Sequence, residues 1–259
     1  MCQFRGVIFD VDGTLVDSND AHARAWTAAL NEHGHDVRFE QVRKLIGMGS
    51  DHLLPETTDI EKESDQGQAI AQRCGQIFKE QYLPTIKPLP GAHDLVQRLH
   101  ADGVQLVVAS SATKDELGAL LTIAQVADLL PEQTSADDAK QSKPAPDIIL
   151  VALQRLGVSP QETVMVGDTP YDIQAAQKAG VRVIALRCGG WQDEELAGAL
   201  AIYDDPADLL VHYAESPLGA TQDATADGSA KASVQQIIAE QEDAEDDAAA
   251  ARAIGDQPV

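Results

Sequence analysis

Phe9-Asp10-Val11-Asp12-Gly13-Thr14-Leu15 joins the end of an apolar run to an acidic turn containing glycine. Just ahead of it, Val7, Ile8 and Phe9 stand in a row, so Arg5–Val11 reads as a short buried strand. Asp12-Gly13 has the composition of a turn that ends such a strand. Two carboxylates two residues apart at a strand end are therefore the first landmark, and the remaining chain is read outward from them.

Residues 19–33 show helical spacing, with Ala21, Ala25, Ala28, Ala29 and Leu30 on one stripe and Trp26 beside them. Further helical stretches are expected at 39–46 and 61–83, and no convincing strand lies between Val16 and Pro88. A block of helices thus follows the first strand directly. Pro88-Leu89-Pro90-Gly91 marks the return. From there helix and strand alternate: helix 91–101, strand 104–109, helix 114–124, a weaker strand near 133–136, helix 146–156, strand 163–167, helix 171–179 and strand 181–186. The expected fold class is α/β, a Rossmann-like parallel sheet with helices on both faces.

Composition agrees with a sheet covered by helices. The 259 residues are 44% apolar and only 4% aromatic, so the core must be mainly Val, Leu, Ile and Ala. The formal net charge is −23. Residues 214–259 hold ten acidic and two basic residues, so −8 of that charge sits there. Such acidity argues against nucleic-acid or anionic-membrane partners. A small phosphorylated metabolite is compatible with it, because a metal ion and a few lysines reverse the sign locally. Cys2, Cys74 and Cys188 have no zinc-like spacing and read as unpaired thiols of a reducing, cytoplasmic setting. No signal-peptide pattern or membrane-length apolar run is evident.

In open parallel sheets, ligands bind beyond the carboxyl ends of the strands. Asp10 and Asp12 follow strand one, Ser110 follows strand 104–109, and Asp168 follows strand 163–167. Lys143 opens the helix before that last strand. Each alone is explained by a turn, a cap or a solvated lysine. Together they make a phosphoryl-transfer site. Carboxylates offer hard oxygen ligands to Mg²⁺, Lys143 adds fixed positive charge, and hydroxyls with backbone N–H groups donate to phosphate oxygens. Asp10 is then the nucleophile, and Asp12 is placed to protonate the leaving oxygen and later to deprotonate water.

Over residues 4–213 the sequence resembles the haloacid dehalogenase superfamily. The family's DxDGT pattern stands as Asp10-Val11-Asp12-Gly13-Thr14, its second motif matches Ser110, its Lys-Pro matches Lys143-Pro144, and its GDxxxD matches Gly167-Asp168-Thr169-Pro170-Tyr171-Asp172. The resemblance implies Mg²⁺ held by Asp10, by the Asp12 carbonyl and by Asp168. It implies phosphate contacts from Ser110, Ser111 and Lys143, and an outer, orienting role for Asp172. It also implies that the helical block is an inserted α-helical cap. The expected organisation is a core of residues 1–15 plus 89–215, a cap at 16–88 hinged near 14–19 and 84–90, and an acidic, Ala-rich tail at 216–259.

Within the family, Asp12 argues against the halide-cleaving branch, which lacks a second acid there. Phosphatase and sugar-phosphate mutase both remain. Residues Asp17–Trp26 are similar to the beta-phosphoglucomutase branch, with His22 and Trp26 four apart on one helix face. His22 reads either as a group positioning the acid/base or as polar surface. Gly47, Met48 and Gly49 read as the cap turn facing substrate. A mutase needs a cation for a distal phosphate, and none follows Gly47; Arg43 and Lys44 are the substitutes on offer. The reading is a phosphatase acting on a small phosphomonoester, with a mutase second and a non-catalytic binding protein third. Removing residues 219–259 is expected to leave phosphatase activity within about twofold of the full chain, because that stretch lacks core-forming residues; steady-state rates of the two chains check this.

Overall fold

The computed structural model describes residues 4–219. Six parallel strands form one sheet: β1 (Gly6–Phe9), β2 (Gln105–Ala109), β3 (Gln133–Thr134), β4 (Thr163–Gly167), β5 (Arg182–Leu186) and β6 (Ala201–Tyr203), in the order β3-β2-β1-β4-β5-β6. The chain fills one side of β1 with β2 and β3, then crosses back to build β4 to β6 on the other side. Strand order therefore reverses at β1, and a crevice opens beyond the carboxyl ends of β1 and its neighbours.

Strand β1 is buried along its whole length. Its side chains alternate between faces, as a period of two requires. Val7 and Phe9 join the apolar cluster on one face with Val108, Val164 and Val166. Ile8 joins the other with Val107 and Met165. Register places Phe9 opposite Val108 and Val166, so Asp10, Ser110 and Asp168 leave the sheet within about one residue of the same level.

Helices α1 (Asn19–Glu32), α2 (Phe39–Arg43), α3 (Ser50–Thr58) and α4 (Asp65–Ile77) lie between β1 and the second strand. Ala23, Ala25, Ala29 and Leu30 of α1 are buried, and α1 packs on α2 and α4. The two chain crossings between these helices and the sheet run side by side. The Asp17 amide donates to the Lys87 carbonyl at 2.9 Å and the Leu89 amide to the Leu15 carbonyl at 2.9 Å. The other helices are α5 (Ala92–Ala101), α6 (Lys114–Ile123), α7 (Asp147–Leu156), α8 (Pro170–Lys178) and α9 (Pro206–Val211). None of the described helices is long and apolar enough to cross a membrane.

Three local readings of the sequence change. The stretch expected as one helix at 61–83 starts at Asp65, where the Ser64 hydroxyl accepts from the Gly67 amide. It then continues through a widened π turn at Phe78–Tyr82. Helix α3 was not anticipated, because Pro55 sits inside it and only Leu53 and Leu54 are buried, too few to show a period. The same holds for β6, three residues long, and for α9. The expected acidic tail lies, for residues 220–259, outside the described residues.

Candidate active site

The site begins with local geometry at the end of β1. The Asp10 amide bonds the Val166 carbonyl at 2.9 Å, which fixes the first residue beyond the strand. Gly13 adopts φ +79°, a conformation that side-chain-bearing residues rarely take. A Cβ at Gly13 would collide with Asp168 and Asn19, so the turn needs glycine for space as well. The opposite wall is set by the start of α8. The Thr169 hydroxyl accepts the Asp172 amide, while Asp172 Oδ2 accepts the Thr169 amide at 3.0 Å and hydroxyl at 2.7 Å. Pro170 supplies the first helical residue. Such reciprocal caps are typically worth about 1 kcal/mol. Here the cap also fixes where Asp168 and Asp172 stand.

Asp10, Asp168 and Asp172 are buried, and each offers an oxygen within 4.8 Å of the others'. Lys143, 1% exposed, reaches into this group. Its ammonium donates to Asp10 Oδ1, to Asp172 Oδ1 at 2.8 Å and to the Ala109 carbonyl at 3.2 Å. All three ammonium protons are thereby used. Asp172 has both oxygens committed, to Lys143 and to Thr169. Asp10 has only one committed, and its second oxygen accepts no bond among the described residues. Asp168 accepts the Thr14 hydroxyl at 3.1 Å and the Asn19 amide nitrogen at 2.8 Å.

Three carboxylates against one ammonium leave negative charge in excess. Burial pushes the Asp10 carboxyl well above the usual range; Lys143 opposes this, and Asp172 and Asp168 add to it. Burial, with Asp172, raises Asp168 to about 7, and the Asn19 and Thr14 bonds only partly offset that. Buried charge requires pairing. A divalent cation would supply it, and the donors are the hard oxygens that Mg²⁺ or Ca²⁺ prefers. The Asp12 carbonyl accepts no hydrogen bond among the described residues, which leaves a neutral oxygen available beside the acids. The residues therefore fit a bound metal ion.

Asp12 is handled differently. Its Oδ1 accepts the Ser18 hydroxyl at 2.5 Å and faces His22 Nε2 at 2.9 Å. Burial alone would raise Asp12, but His22 and the Ser18 hydroxyl outweigh it and hold the carboxyl low. Burial alone would lower His22, but Asp12 and Glu116 outweigh it and raise the imidazole to about 8. The His22 ring stacks on Phe78 at 4.0 Å, 8° from parallel.

A cavity of about 180 Å³ opens over Asp10 and Asp12, bounded by His22, the Gly47-Met48-Gly49 turn and Ser111. Ser110 is buried at the end of β2, where its oxygen accepts the Ala112 amide at 3.1 Å. The helical block is tied down over the cavity. Tyr171 donates to the Lys44 carbonyl at 2.6 Å, the Ser142 amide to Asp51 Oδ2 at 2.9 Å, and Arg43 to the Gly189 carbonyl at 2.6 Å. Arg43 also pairs with Asp20 at 2.7 Å, Lys44 is exposed, and neither lines the cavity.

The structure thus gathers Asp10, Asp12, Ser110, Lys143, Asp168 and Asp172 at one sheet edge, with Ser111, His22, Gly47, Met48 and Gly49 around the cavity. Sequence reasoning missed Ser18, Asn19 and Glu116 as site residues. Ser18 and Asn19 look like an ordinary helix start, and Glu116 like a first-turn acid of α6. Only their three-dimensional neighbours distinguish them.

Comparison with known proteins points to one family. The model of a family described as haloacid dehalogenase-like hydrolase matches residues 7–186. A fructose-1-phosphate phosphatase of Escherichia coli is 29% identical, covering 71% of this chain and 97% of its own. A phosphoglycolate phosphatase of Yersinia pseudotuberculosis is 32% identical, covering 82% and 90%. The crystal structure of a hydrolase from Pseudomonas syringae superposes with a TM-score of 0.76 at 30% identity, covering 81% of this chain and 98% of that one.

Proposed function

The chain belongs to the haloacid dehalogenase-like hydrolase family, and on that premise we propose that it is a magnesium-dependent phosphatase that hydrolyses a small phosphomonoester through phosphorylated Asp10. One observation carries the reading: Asp10 has one oxygen held by Lys143 and the other accepting no bond among the described residues, and it lines the cavity with Asp12.

Mg²⁺ held by Asp10, Asp168 and the Asp12 carbonyl would neutralise phosphate charge and orient the ester for attack. Asp10 Oδ2 attacks phosphorus, and the ester oxygen departs on the far side. Lys143 fixes the carboxylate through Oδ1 and keeps positive charge next to the transferring group. The Ser110 and Ser111 hydroxyls donate to phosphate oxygens. Ser111 Oγ is buried without a partner among the described residues, the state expected of a donor reserved for ligand. Asp12, ionised at rest, passes a proton taken from His22 to the leaving oxygen, then takes one from the water that opens the phosphoaspartate. His22 Nε2, 2.9 Å from Asp12 Oδ1, holds the proton that Asp12 exchanges.

Residues 16–88 act as a cap in this reading. Packed beside the cavity, they would limit the access of bulk water to Asp10, so that hydrolysis uses the water Asp12 positions. The unpaired thiols of Cys74 and Cys188 suit a reducing compartment and support a cytoplasmic setting.

Phosphate release from a panel of phosphomonoesters tests the proposal. Release is expected with Mg²⁺ and should fall to background with a chelator, returning when Mg²⁺ is restored. Isomerisation of a hexose 1-phosphate without phosphate release, given a trace of bisphosphate, would replace this reading with a mutase.

A further inference from the structure

The cavity has a phosphate end, at Asp10, and a leaving-group end, lined by Trp26, Met48, Cys74, Phe78 and Glu116. Its volume is about 180 Å³, room for a small ester. Among the described residues, no lysine or arginine lines it. The cations nearest in sequence or space are spoken for: Lys143 by Asp10 and Asp172, Arg43 by Asp20 and the Gly189 carbonyl. Lys44 and Lys114 are exposed.

Among the described residues, His22 is the one basic group on the wall, and it faces two acids. Asp12 lies 2.9 Å and Glu116 3.5 Å from the same ring nitrogen. A leaving group carrying a second anion would enter a desolvated site where every positive charge already has an acidic partner. Like charges brought together in such a place repel strongly. A hydroxyl, by contrast, finds acceptors and donors. Glu116 stands on the first turn of α6 with a half-buried carboxylate, and Ser111 Oγ has no partner among the described residues.

We infer that the site selects phosphomonoesters whose leaving group is an uncharged, hydroxyl-bearing carbon skeleton, that it rejects those bearing a second anion, and that Glu116 is the selecting residue. This rests on the phosphatase reading and narrows its substrate class. The two curated relatives carry names from both sides of this divide, and the charges on this chain's wall fall on the neutral side.

Two esters of nearly equal size make the test: 2-hydroxyethyl phosphate and 2-phosphoglycolate, which differ by a CH₂OH in place of a carboxylate. The native protein with Mg²⁺ should prefer the hydroxyethyl ester by at least about tenfold in kcat/KM. Glu116→Lys should shift the ratio toward phosphoglycolate by about tenfold or more, mainly through its KM, and Glu116→Gln should shift it less in the same direction. A native preference for phosphoglycolate, or a ratio unmoved by Glu116→Lys in a folded variant, overturns the inference alone. No phosphate released from either ester or from p-nitrophenyl phosphate overturns the phosphatase reading, and the inference with it.

Discussion

Asp10→Asn is expected to lower turnover by at least about 10³-fold and to abolish the phosphoenzyme, while leaving the fold intact or firmer. The loss of rate follows from removing the attacking oxygen, since a neutral amide does not form an acyl phosphate under these conditions. The stability side follows from charge. Burial and the neighbouring Asp172 and Asp168 push the Asp10 carboxyl well above its unfolded value, against the pull of Lys143. A carboxyl raised on folding costs stability once pH exceeds its unfolded pKa, and that cost grows until its folded pKa is passed. Asn carries no such charge, and its carbonyl still accepts from Lys143. In chelator at neutral pH the melting temperature should therefore be equal to or above that of the native chain. Acid-quenched mass spectrometry reads the phosphoenzyme, and thermal melts read the stability. A variant with more than about 1% of native turnover would remove Asp10 as nucleophile.

Lys143→Met should be the opposite case, losing both activity and stability. Lys143 is 1% exposed and is, among the described residues, the only ammonium bonded to Asp10 and Asp172. Breaking a buried ion pair by removing one partner typically costs about 3–5 kcal/mol. For a chain of this size that corresponds to a fall of roughly 10 °C in melting temperature. The carboxylates left behind will escape part of the penalty by holding protons, so the loss should be largest at neutral and alkaline pH and should shrink as pH falls. Adding Asp172→Asn removes one uncompensated charge and should return part of the stability, which a double-mutant cycle in chelator measures. Activity should stay low in both, because Asp10 loses the group that fixes its Oδ1. Undiminished stability in Lys143→Met would show that the pair contributes little to the fold.

Legibility in the sequence followed the strength of local signals. The buried strand before Asp10 and the strand before Gly167-Asp168 showed themselves as short β-branched runs, and their ends fixed the acids. The helix expected at 171–179 runs Pro170–Lys178, started by a Thr169 cap that the spacing alone did not reveal. Helix α3 was not visible, since two buried leucines and an internal Pro55 make no period. Strand β6, with all three residues only half-buried, gave no pattern either.

The sequence by itself determined that two acids, a hydroxyl, a lysine and a third acid would meet at one sheet edge. Parallel strands joined by helices allow few other arrangements, and residues at strand ends converge whatever the loops do. Tertiary structure alone decided how each carboxylate is used. Asp10 keeps one oxygen open, Asp172 has both committed to Lys143 and Thr169, and Asp12 is paired with His22. It also decided that Arg43 is tied to the Gly189 carbonyl and that Glu116 stands opposite His22. These are contacts between groups from different elements, whose approach is set by packing of the helical block on the sheet. Charge pairing of that kind depends on distances of a few ångströms, which no spacing along the chain encodes.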